Sequence, residues 1–314
     1  LNYAFAEDEQ KVERLEEYLN IYPDAVFAKK QFLYYSYNKR EQEEIRKLLL
    51  DLLTNDSYYF KGEDYLNFIT VALGERFQGG IGPSGPNNEP YFGELCEIED
   101  WDLVSKFSPV HKMMLAYAVG SGGGQNTADA EKIVAMLDEK DRNAYWQLIN
   151  ILRVYENFHD YNYDEVYRLT EEILKSDMDP QDYFMPVYDL GYQFEIFYLN
   201  YYKEPRLIEY AVRLYEKSCR MIPAWSKAYT AYTWVSWGRS QYYAGKYEES
   251  IRTLKKGVEK IEYPLFYLFL SLNYYRLKDN AEGKYWEDKT RKAYKNNRNI
   301  INEFEEMLKE AKKN

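Results

Sequence analysis

The chain has 314 residues, which is long enough to bury a substantial core as one elongated domain or as two compact ones. It carries 52 Asp and Glu against 41 Lys and Arg, and the resulting net charge of −11 argues against sequence-independent binding to nucleic acid or anionic lipid. The 35 Tyr residues indicate that amphipathic rings do much of the packing that Leu usually does.

Two further classes are disfavoured by the composition. No stretch contains the run of about 18 apolar residues that a membrane helix needs, so we expect no membrane span. Cys96 and Cys219 are the only cysteines, and they lie far apart in the sequence. They therefore neither build a disulfide framework nor indicate a redox compartment.

The first 56 residues contain two amphipathic helical patterns, called rows below, one after Lys11 and one after Glu44. In each row, apolar residues follow the first position by one, four and eight places, which puts them on one face of a helix. We therefore interpret residues 1–56 as the N-terminal helical repeats.

Residues 57–107 fit this pattern least well. Residues 78–93 contain five Gly and three Pro, a composition that excludes a continuous helix. The sequence predicts a degenerate repeat here, interrupted by an irregular insertion loop.

Further amphipathic rows follow in residues 108–297, beginning at Asp129, Val166, Ala211 and Ser250. Consecutive rows along the chain begin 33 to 45 residues apart, except for one interval of 85 that fits two repeats. A nearly regular period of this length is typical of stacked helical repeats. Residues 298–314 combine an apolar face with many charges, as expected of a terminal capping helix.

The clearest repeat lies in residues 224–264. A helix is predicted from about Trp225 to Ala244, Gly245 breaks it, and a second helix begins near Tyr247 and ends before Pro264. The apolar face of the second helix consists of Ile251, Leu254, Val258 and Ile261. Small residues are expected where the two helices approach closely, and these are Gly238, Ser250 and Gly257.

This stretch resembles the tetratricopeptide repeat family, whose signature is Trp, two residues, Leu-Gly, two residues and Tyr. Here Trp234 and Gly238 match, whereas Trp237 replaces the Leu and Pro264 falls about two residues late. The Tyr position holds Gln241, with Tyr242 next to it. The resemblance implies an all-α fold, a right-handed α-α superhelix of about seven helical hairpins with a C-terminal cap. It also implies one repeat domain over residues 1–314.

The same resemblance implies a non-catalytic interaction module, without metal or cofactor, whose concave groove binds a peptide segment or a partner protein. The family's groove positions fall in this chain on Tyr155, Tyr188, Tyr192, Glu195, Tyr232, Arg239 and Tyr242. The rings would supply contact area and the charges would set the register of the ligand. For any single Tyr, packing between hairpins is the alternative, since aromatic residues at helical spacing usually belong to the core.

Signals for chemistry are weak. The glycine run at residues 120–124 lacks the Gly-Lys-Ser/Thr of a phosphate-binding loop and is interpreted as a helix stop. His111 and His159 have no metal-ligand spacing, so we interpret them as surface or interhelical residues. Cys219 occupies an apolar helix face, the usual place for an inert buried thiol.

Two other interpretations stay open at this point. The first is an extracytoplasmic, lipid-anchored repeat protein that assists a transporter or binds a small ligand, an idea motivated by the acidic charge and by Leu1 in place of Met. The second is a carbohydrate-active α/α-barrel enzyme, which requires a closed ring of helix pairs and two facing carboxylates. The sequence identifies neither the partner nor the compartment.

Overall fold

The computed structural model describes residues 8–25, 28–29, 31–32, 48, 51–54, 101–121, 127–178, 180–222 and 227–313. Every regular element within these ranges is helical and none is a strand, which confirms the predicted all-α class. The predicted loop at residues 78–93 and most of residues 57–107 lie outside the described residues, as does part of the N-terminal repeats.

The chain divides into two compact units. Unit 1 comprises residues 1–83 and 90–162, and unit 2 comprises residues 84–89 and 163–314. The expectation of one continuous repeat domain over residues 1–314 stays a prediction.

The helices described in unit 1 are α1 (Asp8–Ile21), α2 (Trp101–Ser105), α3 (Pro109–Ser121), α4 (Thr127–Ala135), α5 (Glu139–Ala144) and α6 (Trp146–His159). The core forms where α3, α4 and α6 pack against one another, and α5 packs on α6. Buried Ile151, Val154, Tyr155 and Phe158 follow the i, i+3, i+4, i+7 spacing of an amphipathic helix. The other side of α6 is left for charged and half-buried residues.

The helices of unit 2 are α7 (Tyr163–Lys175), α8 (Pro180–Ile196), α9 (Pro205–Met221), α10 (Lys227–Tyr243), α11 (Tyr247–Lys260), α12 (Pro264–Arg276), α13 (Asn280–Ala293) and α14 (Arg298–Lys312). A short π-helical segment, Phe197–Tyr201, extends α8. Each helix from α8 to α12 packs on the next one in the chain. The first helices of consecutive hairpins also touch, in the order α8 with α10, α10 with α12, and α12 with α14.

The predicted hairpin at residues 224–264 is confirmed as α10 and α11. A Cβ atom built on Gly238 would lie 2.4 Å from Cδ2 of Leu254, so only glycine permits this approach. The Ser250 hydroxyl also donates to the Gly238 carbonyl across the hairpin, at 2.6 Å. Pro264, predicted to close the hairpin, is the first residue of α12. The N–H at this position of a helix has no intrahelical acceptor, so a proline there costs no hydrogen bond.

The next hairpin has the same Ser-to-Gly hydrogen bond, but here the Ser lies on the first helix and the Gly on the second. Ser271 of α12 donates to the carbonyl of Gly283 in α13, at 2.9 Å. The closing helix α14 buries Ile300, Phe304, Leu308 and Ala311 against this hairpin. Asn297 caps its start by accepting a hydrogen bond from the Ile300 amide.

Aromatic rings pack throughout unit 2, which confirms the predicted Tyr-rich core. Tyr167 of α7 stacks on Tyr210 of α9 with ring centroids 5.1 Å apart. The Arg206 guanidinium also packs on the Tyr167 ring, 3.9 Å from its centroid, in a cation–π contact. Stacked Tyr rings thus join helices that are not consecutive in the chain.

Candidate functional site

Six of the seven predicted site residues lie in α8 and α10 of unit 2, and the seventh, Tyr155, lies in α6 of unit 1. Tyr155 is 6% exposed and belongs to the buried face of its helix. Its neighbours Arg153 and Glu156 reach the opposite face. Whether any of the seven residues contacts a partner stays a prediction.

Glu195 and Arg239 are brought together as a buried ion pair. Glu195 is 1% exposed and Arg239 is 8% exposed. The guanidinium donates from Nε to Oε1 and from Nη2 to Oε2, each at 2.8 Å, which is the bidentate geometry that Arg favours. The hydroxyl of fully buried Tyr215 donates a third hydrogen bond to the same carboxylate, at 2.8 Å.

This cluster connects two layers of the unit. Glu195 lies in α8 and Tyr215 in α9, so their hydrogen bond closes the first hairpin, whereas Arg239 belongs to α10 of the second. A buried carboxylate is tolerated only when its oxygens are satisfied, and here they accept three hydrogen bonds. The cluster therefore fixes how consecutive hairpins stack.

Tyr188 and Tyr242 are also buried packing residues. The Tyr188 hydroxyl lies 3.2 Å from the Ser236 hydroxyl, a second link between α8 and α10. Tyr242 packs its ring against Tyr247 and Phe269, at centroid distances of 5.7 and 6.0 Å. Burial raises the pKa of the Tyr242 phenol, so this group stays protonated.

Tyr192 and Tyr232 differ from the other four because they are only half-buried. The Tyr232 ring meets the Tyr263 ring edge-on at 5.5 Å, so one side of it is packed. Of the six predicted positions in unit 2, these two are the ones at which solvent reaches the side chain. They are the positions best placed to contact another molecule.

Sequence reasoning missed a second buried carboxylate, Glu287 in α13. It accepts hydrogen bonds from the Tyr275 hydroxyl at 2.7 Å, from Arg291 Nε at 2.9 Å and from Lys312 Nζ at 3.1 Å. Burial alone would raise its pKa, but these three donors outweigh burial and lower the pKa to about 2.

The second cluster uses the same arrangement as the first. A Tyr of the same hairpin and a cation of the following layer, here Lys312 in α14, meet on one buried carboxylate. One sequence signal was available, since Glu287 falls on the core stripe of α13 between Gly283 and Thr290, at helical spacings of four and three.

A separate feature of unit 1 is a cleft of about 310 Å³ between α4, α5 and α6. Its charged lining residues are Glu131, Arg142, Arg153 and Glu156, and its larger apolar ones are Val134, Ile149 and Leu152. The sequence analysis singled out none of them. The predicted site residues were mostly aromatic, and none of the described residues that line this cleft is aromatic.

The other predicted chemistry residues show no reactive arrangement. His111 is completely buried in α3, which agrees with an interhelical residue and not with a surface residue. The side chain of His159 lies outside the described part of the chain. Burial raises the pKa of the Cys219 thiol, which disfavours the reactive thiolate. In the part of the chain that the structure describes, no group of three or more His, Cys, Asp or Glu side chains is placed to hold a metal.

None of the described helices has the length and apolar character that crossing a membrane requires. A scan against models of known protein families finds no match to this chain, and a search of curated proteins finds no relative. Function is therefore inferred from the geometry above.

Proposed function

We propose that the chain is a non-catalytic helical-repeat protein, similar to tetratricopeptide repeat proteins, that binds a peptide segment or a partner protein. In this proposal the hairpins wind as a right-handed superhelix. The observation that supports it best is the layer order of unit 2, in which α8, α10, α12 and α14 contact one another in succession. Such stacks present an extended surface rather than one enclosed pocket.

The buried carboxylates give this stack the rigidity that recognition needs. The Glu195 cluster joins the first and second hairpins, and the Glu287 cluster joins the third hairpin to α14. A surface held in place before binding loses little conformational entropy when a ligand arrives. The clusters thus favour a preformed binding surface.

The proposal assigns two roles to the predicted site residues of unit 2. Tyr192 and Tyr232, which solvent reaches, contact the ligand through their rings. Glu195 and Arg239, paired with each other, hold α8 and α10 in position. Tyr188 and Tyr242 take part in the same packing.

Selection from a random-peptide display library against the full chain tests this function. We expect an enriched sequence motif whose binding weakens about tenfold or more in Tyr192→Ala and Tyr232→Ala, because exposed aromatic anchors dominate such interfaces. Tyr285→Ala, at an exposed Tyr of α13, is the matched control and should bind normally. The absence of an enriched motif, or equal binding by all three variants, would reject the proposal.

A further inference from the structure

The cleft of unit 1 has the dimensions of a small-ligand site. Its volume of about 310 Å³ lies at the lower end of the range for small-molecule pockets. Its apolar floor comes from Val134 of α4 and from Ile149 and Leu152 of α6. On α6 the lining positions 149, 152, 153 and 156 follow helical spacing, so they form one face, opposite the buried face that carries Tyr155.

Four charged side chains surround this floor without pairing. Glu131, Arg142, Arg153 and Glu156 form no ion pair with one another or with any other residue that the structure describes. In unit 2, by contrast, exposed charges on one helix do pair, as Arg168 of α7 does with Glu165. Two carboxylates and two guanidinium groups thus line one cleft with their hydrogen-bonding capacity available.

The negative charge of Glu131 acts on Glu156 across the cleft. Glu156 is half-buried, and its pKa is raised by burial first and then by the negative charges of Glu131 and Asp160, while Arg153 lowers it. A positive group placed between Glu131 and Glu156 would relieve this repulsion. The position is therefore complementary to a ligand cation.

We infer that this cleft binds a small zwitterion, an amino acid or short peptide whose α-ammonium and α-carboxylate groups are both free. The ammonium group lies between Glu131 and Glu156, and the carboxylate lies against Arg153 and Arg142. An apolar side chain of the ligand covers Leu152 and its apolar neighbours. Arg153 and Glu156 are three residues apart on one helix face, a rise of about 4.5 Å, so both side chains can approach one ligand from the same helix.

Other ligand classes fit the cleft less well. A polyanion would meet two carboxylates, and a metal cation would meet two guanidinium groups, which cannot lose their charge. A wholly apolar ligand would remove water from four charges without replacing their hydrogen bonds. Only a ligand with both charges satisfies both pairs.

Titration calorimetry on the full chain tests the inference with leucine and with the dipeptide Leu-Leu. We expect saturable binding of at least one of them, with a Kd on the order of 0.1 to 1 mM. N-acetyl-leucine lacks the positive charge and leucinamide lacks the carboxylate, and neither should bind measurably. Preference for leucine or for Leu-Leu distinguishes an amino acid from a peptide as the source of the zwitterion.

Charge variants locate the site. Glu156→Gln and Arg153→Gln should each weaken binding about tenfold, because each removes one charged partner of the ligand. The matched controls are Glu139→Gln and Lys140→Gln, exposed charges of α5 that do not line the cleft. No saturable heat with either ligand, equal binding of the capped compounds, or equal loss in the control variants would overturn the inference. None of these readouts involves Tyr192 or Tyr232, so the outcome is independent of the proposed peptide-binding function.

Discussion

Arg239 donates two parallel hydrogen bonds to the Glu195 carboxylate, 44 residues away in sequence, inside the core of unit 2. The two residues belong to the first helices of consecutive hairpins. Both were predicted to face a ligand groove, yet here each is the other's partner. The buried pair therefore connects consecutive layers, and contact of either residue with a ligand stays a prediction.

Arg239→Ala should lower the free energy of unfolding by about 3 to 5 kcal/mol, because it leaves the Glu195 carboxylate buried without its cation. Urea unfolding of the full chain, followed by circular dichroism, measures this loss. Arg239→Lys should recover only part of it, since an ammonium cannot reproduce the bidentate contact.

Arg252→Ala is the control for that series. Arg252 is exposed on α11, and its removal should change the free energy of unfolding by no more than about 0.5 kcal/mol. A loss in Arg239→Ala no greater than in Arg252→Ala would mean that the buried pair does not form.

Gly257→Ala is expected to destabilise the protein even though alanine is the better helix former by about 1 kcal/mol. A Cβ atom at this position would lie 2.4 Å from Cε1 and 2.6 Å from Cζ of Phe266, whose ring is completely buried. Overpacking of this kind costs about 1 to 3 kcal/mol, which opposes the propensity gain and is expected to exceed it. Thermal unfolding measures the net effect.

Lys256→Ala, one residue earlier and exposed, is the matched control, and here the propensity gain should leave stability unchanged or slightly higher. If Gly257→Ala stabilised the protein as much as Lys256→Ala, the close approach of α11 and α12 would be disproved.

Lowering the pH should reduce the stability of unit 2, because the Glu287 carboxylate becomes protonated. Its pKa of about 2 in the folded protein lies below the ordinary value of 4.5, so the folded state binds this proton less readily than the unfolded state. The corresponding stability, on the order of 3 kcal/mol, is present above about pH 4.5 and is lost as the pH falls toward 2. Urea unfolding between pH 7 and pH 2 measures the decline.

Glu287→Gln isolates this contribution, since Glu171 also has a pKa lowered to about 2, chiefly by its hydrogen bond with Arg213. The variant should be less stable than wild type at pH 7, and the difference should shrink as the pH approaches 2. A difference that is constant with pH would show that Glu287 does not titrate in this way.

Local patterns in the sequence were sufficient for the helices and for one hairpin. The apolar row after Ser250 predicted α11, and the small side chain at Gly238 predicted the close approach that Leu254 now occupies. Both inferences depend on residues close in sequence, where helical geometry fixes which side chains share a face. Pro264 was placed correctly at a boundary, but a proline can follow one helix or begin the next.

The candidate sites could not be predicted in the same way. Whether Arg239 faces a ligand or Glu195 depends on how two hairpins stack, and helix periodicity carries no information about a contact 44 residues distant. The cleft of unit 1 likewise exists only because α4 packs beside α6. Helical spacing is enough to put Arg153 and Glu156 on one face of α6, but it cannot show that Glu131 of another helix approaches them.

Lys289 should stabilise the third hairpin through the rings around it. Its Nζ atom lies 4.7 Å from the Trp286 ring centroid, 4.8 Å from that of Tyr285 and 5.3 Å from that of Tyr267. Cation–π contacts at partly exposed sites contribute about 0.5 to 1 kcal/mol, and three rings should place the total at the upper end of this range or above it. Lys289→Gln should lower the free energy of unfolding accordingly, whereas Lys289→Arg keeps the cation and should lose less. Lys292→Gln, at an exposed position of the same helix, controls for the loss of charge alone, and an equal effect of both glutamine variants would refute the contribution of the rings.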